Sequence, residues 1–214
     1  MQQALRAALA RWGKPCRLRV DNGKPWGSRS DLPPALALWL IGLGVELVWN
    51  PPRRPQDNGV VERSQGTAKR WAEPHACRSV QELQRRLDDD DSLQREHYPL
   101  QGGRSRWEVF PALAHSARPY RASAEAGGWD MGGVLEHLAG YAVPRRVDRA
   151  GRISVYNHGL YVGTMHRGKT VHLMVDPQRC EWLVVDTDGC QLRSIPATVL
   201  TAERIRTLTL NGST

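Results

Sequence analysis

The chain has 214 residues, a formal net charge of +8, a pI near 9.8 and 40% hydrophobic residues. That length suits one large domain or two small ones with cores of their own, and the composition is compatible with globular folding rather than disorder. The longest apolar run, residues 35 to 49, is interrupted by Gly42, Gly44 and Glu46 and is too short to span a membrane, and no basic-then-apolar leader opens the sequence.

In chain order, residues 2 to 12 are rich in helix formers, and Leu5, Ala8, Leu9 and Trp12 make an apolar stripe that Gly13 and Pro15 stop. Residues 16 to 20 alternate apolar and basic and predict a short strand ending at Asp21-Asn22-Gly23. A helix fits residues 32 to 40, with Pro33 and Pro34 in its first turn and Gly42 and Gly44 closing it. A second strand fits residues 45 to 49 and runs into a proline-rich basic loop. From Asn58 to about Trp71 a third helix is predicted, capped by Asp57 or Asn58. On it Gln65, Gly66 and Lys69 share the face of Glu62, while Val61, Ala68 and Trp71 form a neighbouring apolar face.

Ser79 and Glu82 make a capping box for a fourth helix running to about Leu87, and the four aspartates at 88 to 91 read as a solvated helix end or loop. Residues 92 to 140 read as a connector with short helices. After Tyr141 the texture changes to short alternating strands near 142–148, 152–156, 160–164, 169–175, 181–186 and 190–196, separated by glycine turns. Strands this short and regularly spaced suggest a small antiparallel barrel.

Lysine occurs only at positions 14, 24, 69 and 169, so nearly all of the 30 basic residues are arginine. Arginine binds phosphate bidentately and stacks on bases, which suits a nucleic-acid partner. The codon usage of a GC-rich genome accounts for the same excess equally well. The cysteines at 16, 77, 180 and 190 form no C-x-x-C pair and the seven histidines no H-x3-H pair, which argues against structural zinc. Four free thiols are expected, although Cys180 and Cys190 could face each other across a hairpin.

Adjacent parallel strands bring the loops after them to one sheet edge, where ligands usually bind. Asp21 follows the first strand, and Glu62 opens the helix after the second. Two such carboxylates can bridge hard divalent cations. The macrodipole alone also accounts for an acid near a helix N-terminus.

Taken together, Asp21-Asn22-Gly23, Gly44 and Pro52-x-x-Pro55-Gln56-x-Asn58-Gly59-x-x-Glu62-Arg63 resemble the second half of a DDE integrase core. This is the ribonuclease-H-like catalytic domain of retroviral integrases and bacterial insertion-sequence transposases. The resemblance covers residues 1 to about 90, and residues 145 to 156 and 161 to 163 are more weakly similar to the C-terminal domain of such transposases.

It implies an α/β ribonuclease-H-like fragment over residues 1–91, a connector over 92–140, a small all-β barrel over 141–200 and a tail over 201–214. Asp21 and Glu62 become the second and third catalytic carboxylates and ligands of a pair of Mg²⁺ or Mn²⁺ ions. Lys69 matches a contact to DNA ends, and Arg53, Arg54, Gln56, Asn58 and Arg63 belong to the DNA-binding loop and helix start. The implied chemistry is metal-dependent phosphodiester hydrolysis followed by strand transfer. The implied partners are double-stranded DNA, as element ends and target, and further copies of the chain, with no membrane. The implied setting is the bacterial cytoplasm, in association with DNA.

The family's first aspartate lies on a strand upstream of the helix that precedes D-N-G, and here no aspartate precedes Asp21. The expectation is therefore a fragment that lacks the first strands of its sheet and is inactive alone. A non-catalytic DNA-binding remnant of a transposase is the alternative, and a protein-interaction barrel carrying a decayed domain is a third reading.

Overall fold

The computed structural model describes residues 1–27, 31–53 and 59–212. In chain order the elements are α1 (Gln2–Trp12), β1 (Arg17–Val20), α2 (Ala35–Gly42), β2 (Glu46–Trp49), α3 (Gly59–Ala72), α4 (Val80–Ser92) and α5 (Arg106–Val109). They continue with α6 (Glu125–Gly128), α7 (Met131–Ala139), β3 (Val143–Arg146), β4 (Arg152–Val155) and β5 (His158–Tyr161). The last are β6 (Thr170–Asp176), β7 (Glu181–Val185), β8 (Gln191–Pro196) and α8 (Ala202–Arg206), with 3₁₀ and π turns between elements. The protein is thus mixed α/β. Among the described residues no helix is long and apolar enough to cross a membrane. Two compact units share the chain: Met1–Pro15 with Asn50–Ala122, and Cys16–Trp49 with Ser123–Thr214.

The first unit is helical. In α1 only Leu9 is buried, Leu5 and Trp12 are half-buried and Ala8 is exposed. The Trp12 ring carries the guanidinium groups of Arg11 and Arg95 at 4.2 and 3.6 Å from its centroid. Past Gly13, the Lys14 N–H donates to the Arg118 carbonyl at 2.7 Å and the Arg118 guanidinium donates to the Pro15 carbonyl at 2.7 Å. These bonds tie the unit's two chain segments together.

Helix α4 starts as the sequence predicts, with the Ser79 hydroxyl accepting the Glu82 N–H at 3.1 Å. The Glu82 carboxylate reaches the Arg78 N–H at 2.9 Å, one residue before its partner in a reciprocal capping box. That bond, against a smaller opposing cost of burial, holds the Glu82 carboxyl below its ordinary value.

The helix then runs past its expected end to Ser92, so the four aspartates lie in its last turns rather than in a loop. Acids at a helix C-terminus oppose the macrodipole, and here Asp88, Asp90 and Asp91 have partners. Asp88 pairs with Arg11 at 3.3 Å and Asp91 with Arg95 at 3.5 Å. Asp90 is buried and accepts from the Gln94 amide through both oxygens at 3.0 Å.

The second unit is built on α2. Strands β1 and β2 run parallel, in register from Arg17 opposite Glu46 to Val20 opposite Trp49, and α2 supplies the crossover that parallel pairing requires. The helix begins at Ala35, with Pro33 and Pro34 ahead of it rather than in its first turn. Pro34 is the N-cap, extended at φ −70° and ψ 164°, and its carbonyl accepts the first helical bond from Leu38 at 3.0 Å. Gly44, at φ 75°, turns the chain back into β2.

The sequence of α2 is apolar all round, and a helix of that kind has to be covered on every side. Ala37, Leu38 and Trp39 are completely buried and Leu40 nearly so, with α7 and α8 packed against them. The Trp39 indole N–H donates to Glu125 Oε1 at 3.1 Å, and the Trp129 indole N–H donates to the Trp39 carbonyl at 2.9 Å. Glu125 is itself buried and lies 3.8 Å from the Arg206 guanidinium on α8. Gly42 admits the Trp129 ring, which a Cβ there would overlap.

All six expected C-terminal strands form, but not as a barrel closed by hydrogen bonds. β3, β6, β7 and β8 make a four-stranded antiparallel sheet in that order, and β4 with β5 make a separate hairpin. β3 pairs with β6 across the hairpin, and β4 and β5 pair only with each other. Tyr156 and Asn157 close the hairpin with left-handed φ of 46° and 63°, as a type I′ turn requires. The Tyr156 hydroxyl donates to the Pro33 carbonyl at 2.8 Å, which fastens the hairpin to the segment before α2. Cys180 and Cys190 lie at opposite ends of the β7–β8 pair, beside Ala197 and Asp186, and all four cysteines are free thiols.

Two substitutions test the dependence of the second unit on α2. Trp39→Ala is expected to cost about 3–5 kcal/mol, the usual range for emptying a buried aromatic site. Gly42→Ala overpacks the Trp129 contact and is expected to cost about 1–3 kcal/mol or more. Urea unfolding followed by tryptophan fluorescence reads both as lowered midpoints.

Candidate functional site

Asp21 immediately follows β1 and is exposed, with its Oδ1 accepting the Gly23 N–H at 3.2 Å in an Asx-type turn. The turn continues with the Trp26 N–H donating to the Gly23 carbonyl at 2.9 Å. It is docked on the end of β2, because the Trp49 indole N–H donates to the Trp26 carbonyl at 3.2 Å. The D-N-G turn is therefore held by the strand next to the one it terminates.

Trp49 is anchored in turn. Its ring centroid lies 6.2 Å from that of His137 on α7, and His137 lies 5.5 Å from Tyr141. The Tyr141 hydroxyl and His137 Nε2 share a hydrogen bond of 3.4 Å. Burial in this aromatic stack pushes the His137 imidazole below its ordinary pKa.

Glu62 lies in the first turn of α3, and Lys69 and Arg70 lie in its last turn, an arrangement that complements the helix dipole at both ends. Glu62, Gln65, Gly66 and Lys69 do form one exposed face, and nothing approaches within 4 Å of the position a Gly66 Cβ would take. Of the apolar face expected beside it, Ala68 is half-buried, whereas Val61 and Trp71 remain 55% and 40% exposed. Ser64, Thr67 and Ala68 line a cleft of about 610 Å³ with Leu87 and Asp90 of α4, and Ala72, at the end of the helix, is buried. Arg63 stands on the rim of this cleft, exposed.

Arg53 is exposed, with a left-handed φ of 60°. Arg54, Gln56 and Asn58, also expected to contact DNA, lie outside the described residues.

Asp21 belongs to the second compact unit and Glu62 to the first. Each is a single exposed carboxylate. Among the described residues no three His, Cys, Asp or Glu side chains come together in a way that would hold a metal ion. A two-metal centre draws several carboxylates onto one cation pair. No family model matches the chain.

The aromatic anchor beneath the D-N-G turn has a pH signature. The native state keeps His137 neutral below the point where the unfolded chain, with a histidine pKa of about 6.5, takes up a proton. Its contribution is fully present above that value and is lost as pH falls through the depressed native pKa. Urea midpoints are expected to fall between pH 7.5 and pH 5.5, and by less in His137→Gln than in the parent.

Proposed function

We propose that this chain is part of a DDE-type transposase or integrase and that its own activity is to bind double-stranded DNA. The observation that carries the reading is the D-N-G turn at the end of the first strand of a parallel β–α–β frame. In chain order the next helix after that frame opens at Gly59 and carries Glu62 in its first turn. The net charge of +8 and the exposed basic residues Arg53, Arg63 and Lys69 supply the electrostatic attraction to phosphate.

In this reading Asp21 and Glu62 are ligands for Mg²⁺ or Mn²⁺ in the complete enzyme, which joins element ends to target DNA as an assembly of several copies. No cleavage step is assigned to this chain alone. A remnant that holds DNA without cutting it is the second reading.

Fluorescence anisotropy with a labelled random-sequence duplex tests the proposal. Affinity is expected to fall steeply and linearly on a log–log plot against KCl, because each phosphate contact releases counterions. Arg63→Gln and Lys69→Gln should each reduce the slope by about one, whereas Glu62→Gln should leave binding intact or slightly tighter. Binding that is absent or insensitive to salt would overturn the reading. Mg²⁺-dependent strand transfer that disappears in Glu62→Gln would overturn the assignment of an inactive chain.

A further inference from the structure

We infer a binding site for a guanidinium group carried on an apolar stem, in the cleft of the helical unit between α3, α4 and α5, with the buried carboxylate of Asp90 as its counter-charge. The ligand is a cation, so the site goes beyond the DNA binding proposed above. Its residues on α3, Ser64, Thr67 and Ala68, are not those of the Glu62 face.

The cleft of about 610 Å³ has an apolar lining of Val60, Ala68, Leu87 and Leu113. The chain after α4 builds one side of it. There the helix widens into a π turn over Leu93–His97, a rare conformation that recurs at functional sites. The Arg106 guanidinium donates to the Gln94 carbonyl at 2.6 Å, which ties α5 to that turn. A reciprocal capping box fixes α5 in turn: the Glu108 N–H donates to the Ser105 hydroxyl at 3.3 Å, and the Ser105 N–H donates to the Glu108 carboxylate at 2.6 Å. These bonds hold the lining in place before a ligand arrives, which lowers the entropy cost of binding.

Most charged groups of the lining are already engaged. Asp91 pairs with Arg95 at 3.5 Å, and the Arg95 guanidinium lies 3.6 Å from the centroid of the Trp12 ring. Arg106 is held by Gln94, and Arg63 is exposed, where water screens its charge. Asp90 differs from all of these. It is the most buried acid of the D-D-D-D run, at 7% exposure, and among the described residues it has no ion pair. Its partner is the Gln94 amide nitrogen, 3.0 Å from both of its oxygens.

The arginines thus go to Asp88 and Asp91, which are half-buried, while the aspartate that has lost most of its water receives a neutral amide. A carboxylate offers about four acceptor positions, and one amide nitrogen fills at most two of them. A buried charge is stable when it is both paired and hydrogen-bonded, and a cation entering the cleft supplies what Gln94 does not. Guanidinium fits better than ammonium, because it is planar and weakly hydrated and can pair with a carboxylate through two parallel N–H bonds. Only the burial of Asp90 singles it out from the run; the sequence reads all four aspartates alike.

Ligand-observed saturation-transfer NMR on the full chain, without DNA and at fixed ionic strength, tests the site with n-butylguanidinium and its neutral isostere n-butylurea. The parent is expected to bind the cation saturably and about thirtyfold more tightly than the urea, the low end of what losing one partner of a buried charge pair costs. In Asp90→Asn, whose side-chain carbonyl still accepts from Gln94, that preference is expected to vanish. Asp89→Asn makes the same charge change at an exposed position outside the cleft and is expected to keep the preference.

Equal affinity of the parent for the cation and the urea overturns the site, and this comparison needs no variant should Asp90→Asn melt early. A preference that survives Asp90→Asn, or that disappears equally in Asp89→Asn, overturns it as well. The tripeptide acetyl-Ala-Arg-Ala-amide identifies the source of the group once the preference is seen: tighter binding than n-butylguanidinium assigns it to an arginine of a protein partner, and weaker binding to a free small molecule. The duplex titration is independent of these measurements, so failure of either reading leaves the other standing.

Discussion

The covering of α2 is the constraint on which the second unit depends. A helix of eight residues, apolar on every side, is marginal in water and gains its stability only from what packs around it. Two indole N–H groups and one buried carboxylate then have to be satisfied in the same small volume. Trp39 donates to Glu125, Trp129 donates to the Trp39 backbone, and Arg206 approaches Glu125 from α8. An unpaired carboxylate at that depth would cost several kcal/mol, so these groups stand or fall together. The D-N-G turn inherits its rigidity from this centre, because α2 connects the two strands and α7 carries the His137 that backs Trp49.

The arginine excess divides into two populations. Arg11 and Arg95 cover Trp12 and pair with the aspartates of α4, Arg118 grips the Pro15 carbonyl, and Arg145 joins Asp31 to the β4 backbone. In these positions a planar fork serves as a cross-link that the point charge of lysine would not reproduce. Other arginines, at 146, 149 and 167, stand exposed without ion partners among the described residues. Net charge alone does not distinguish the two groups, although only the second is available to a polyanion.

Much of the local structure was legible in the sequence. Alternation marked the six C-terminal strands, and the buried set of Val171, Leu173 and Val175 on β6 follows directly from it. Ser79 announced the start of α4. Alternation fixes which face a residue takes, however, and not which strand lies next to it, so the pairing of β3 with β6 and the isolation of the β4–β5 hairpin had no local signal. The end of α4 was misjudged because the partners of its aspartates, Arg11 and Arg95, are remote or follow later in the chain. Of the face expected to turn inward on α3, Ala68 does so while Val61 and Trp71 do not, because hydrophobicity favoured the larger residues and the side toward α4 carries smaller ones. Asp21 and Glu62 were legible as motif residues, but the compact unit that each joins depends on contacts such as that of Trp39 with Trp129.

The interleaving of the two units also bears on how the chain matures during synthesis. Residues 16 to 49 contain both parallel strands and α2, yet the residues that cover α2 begin at Ser123 and extend through α8. At about 5–20 residues per second, a nascent chain would carry an uncovered apolar helix for on the order of ten seconds before Arg206 is made. Meanwhile the intervening segment from Asn50 to Ala122 can close on α1 once Arg118 has emerged to bond with Lys14 and Pro15. The helical unit would thus be complete while the β-rich unit still waits for its cover, and that interval is when this protein has most need of a chaperone.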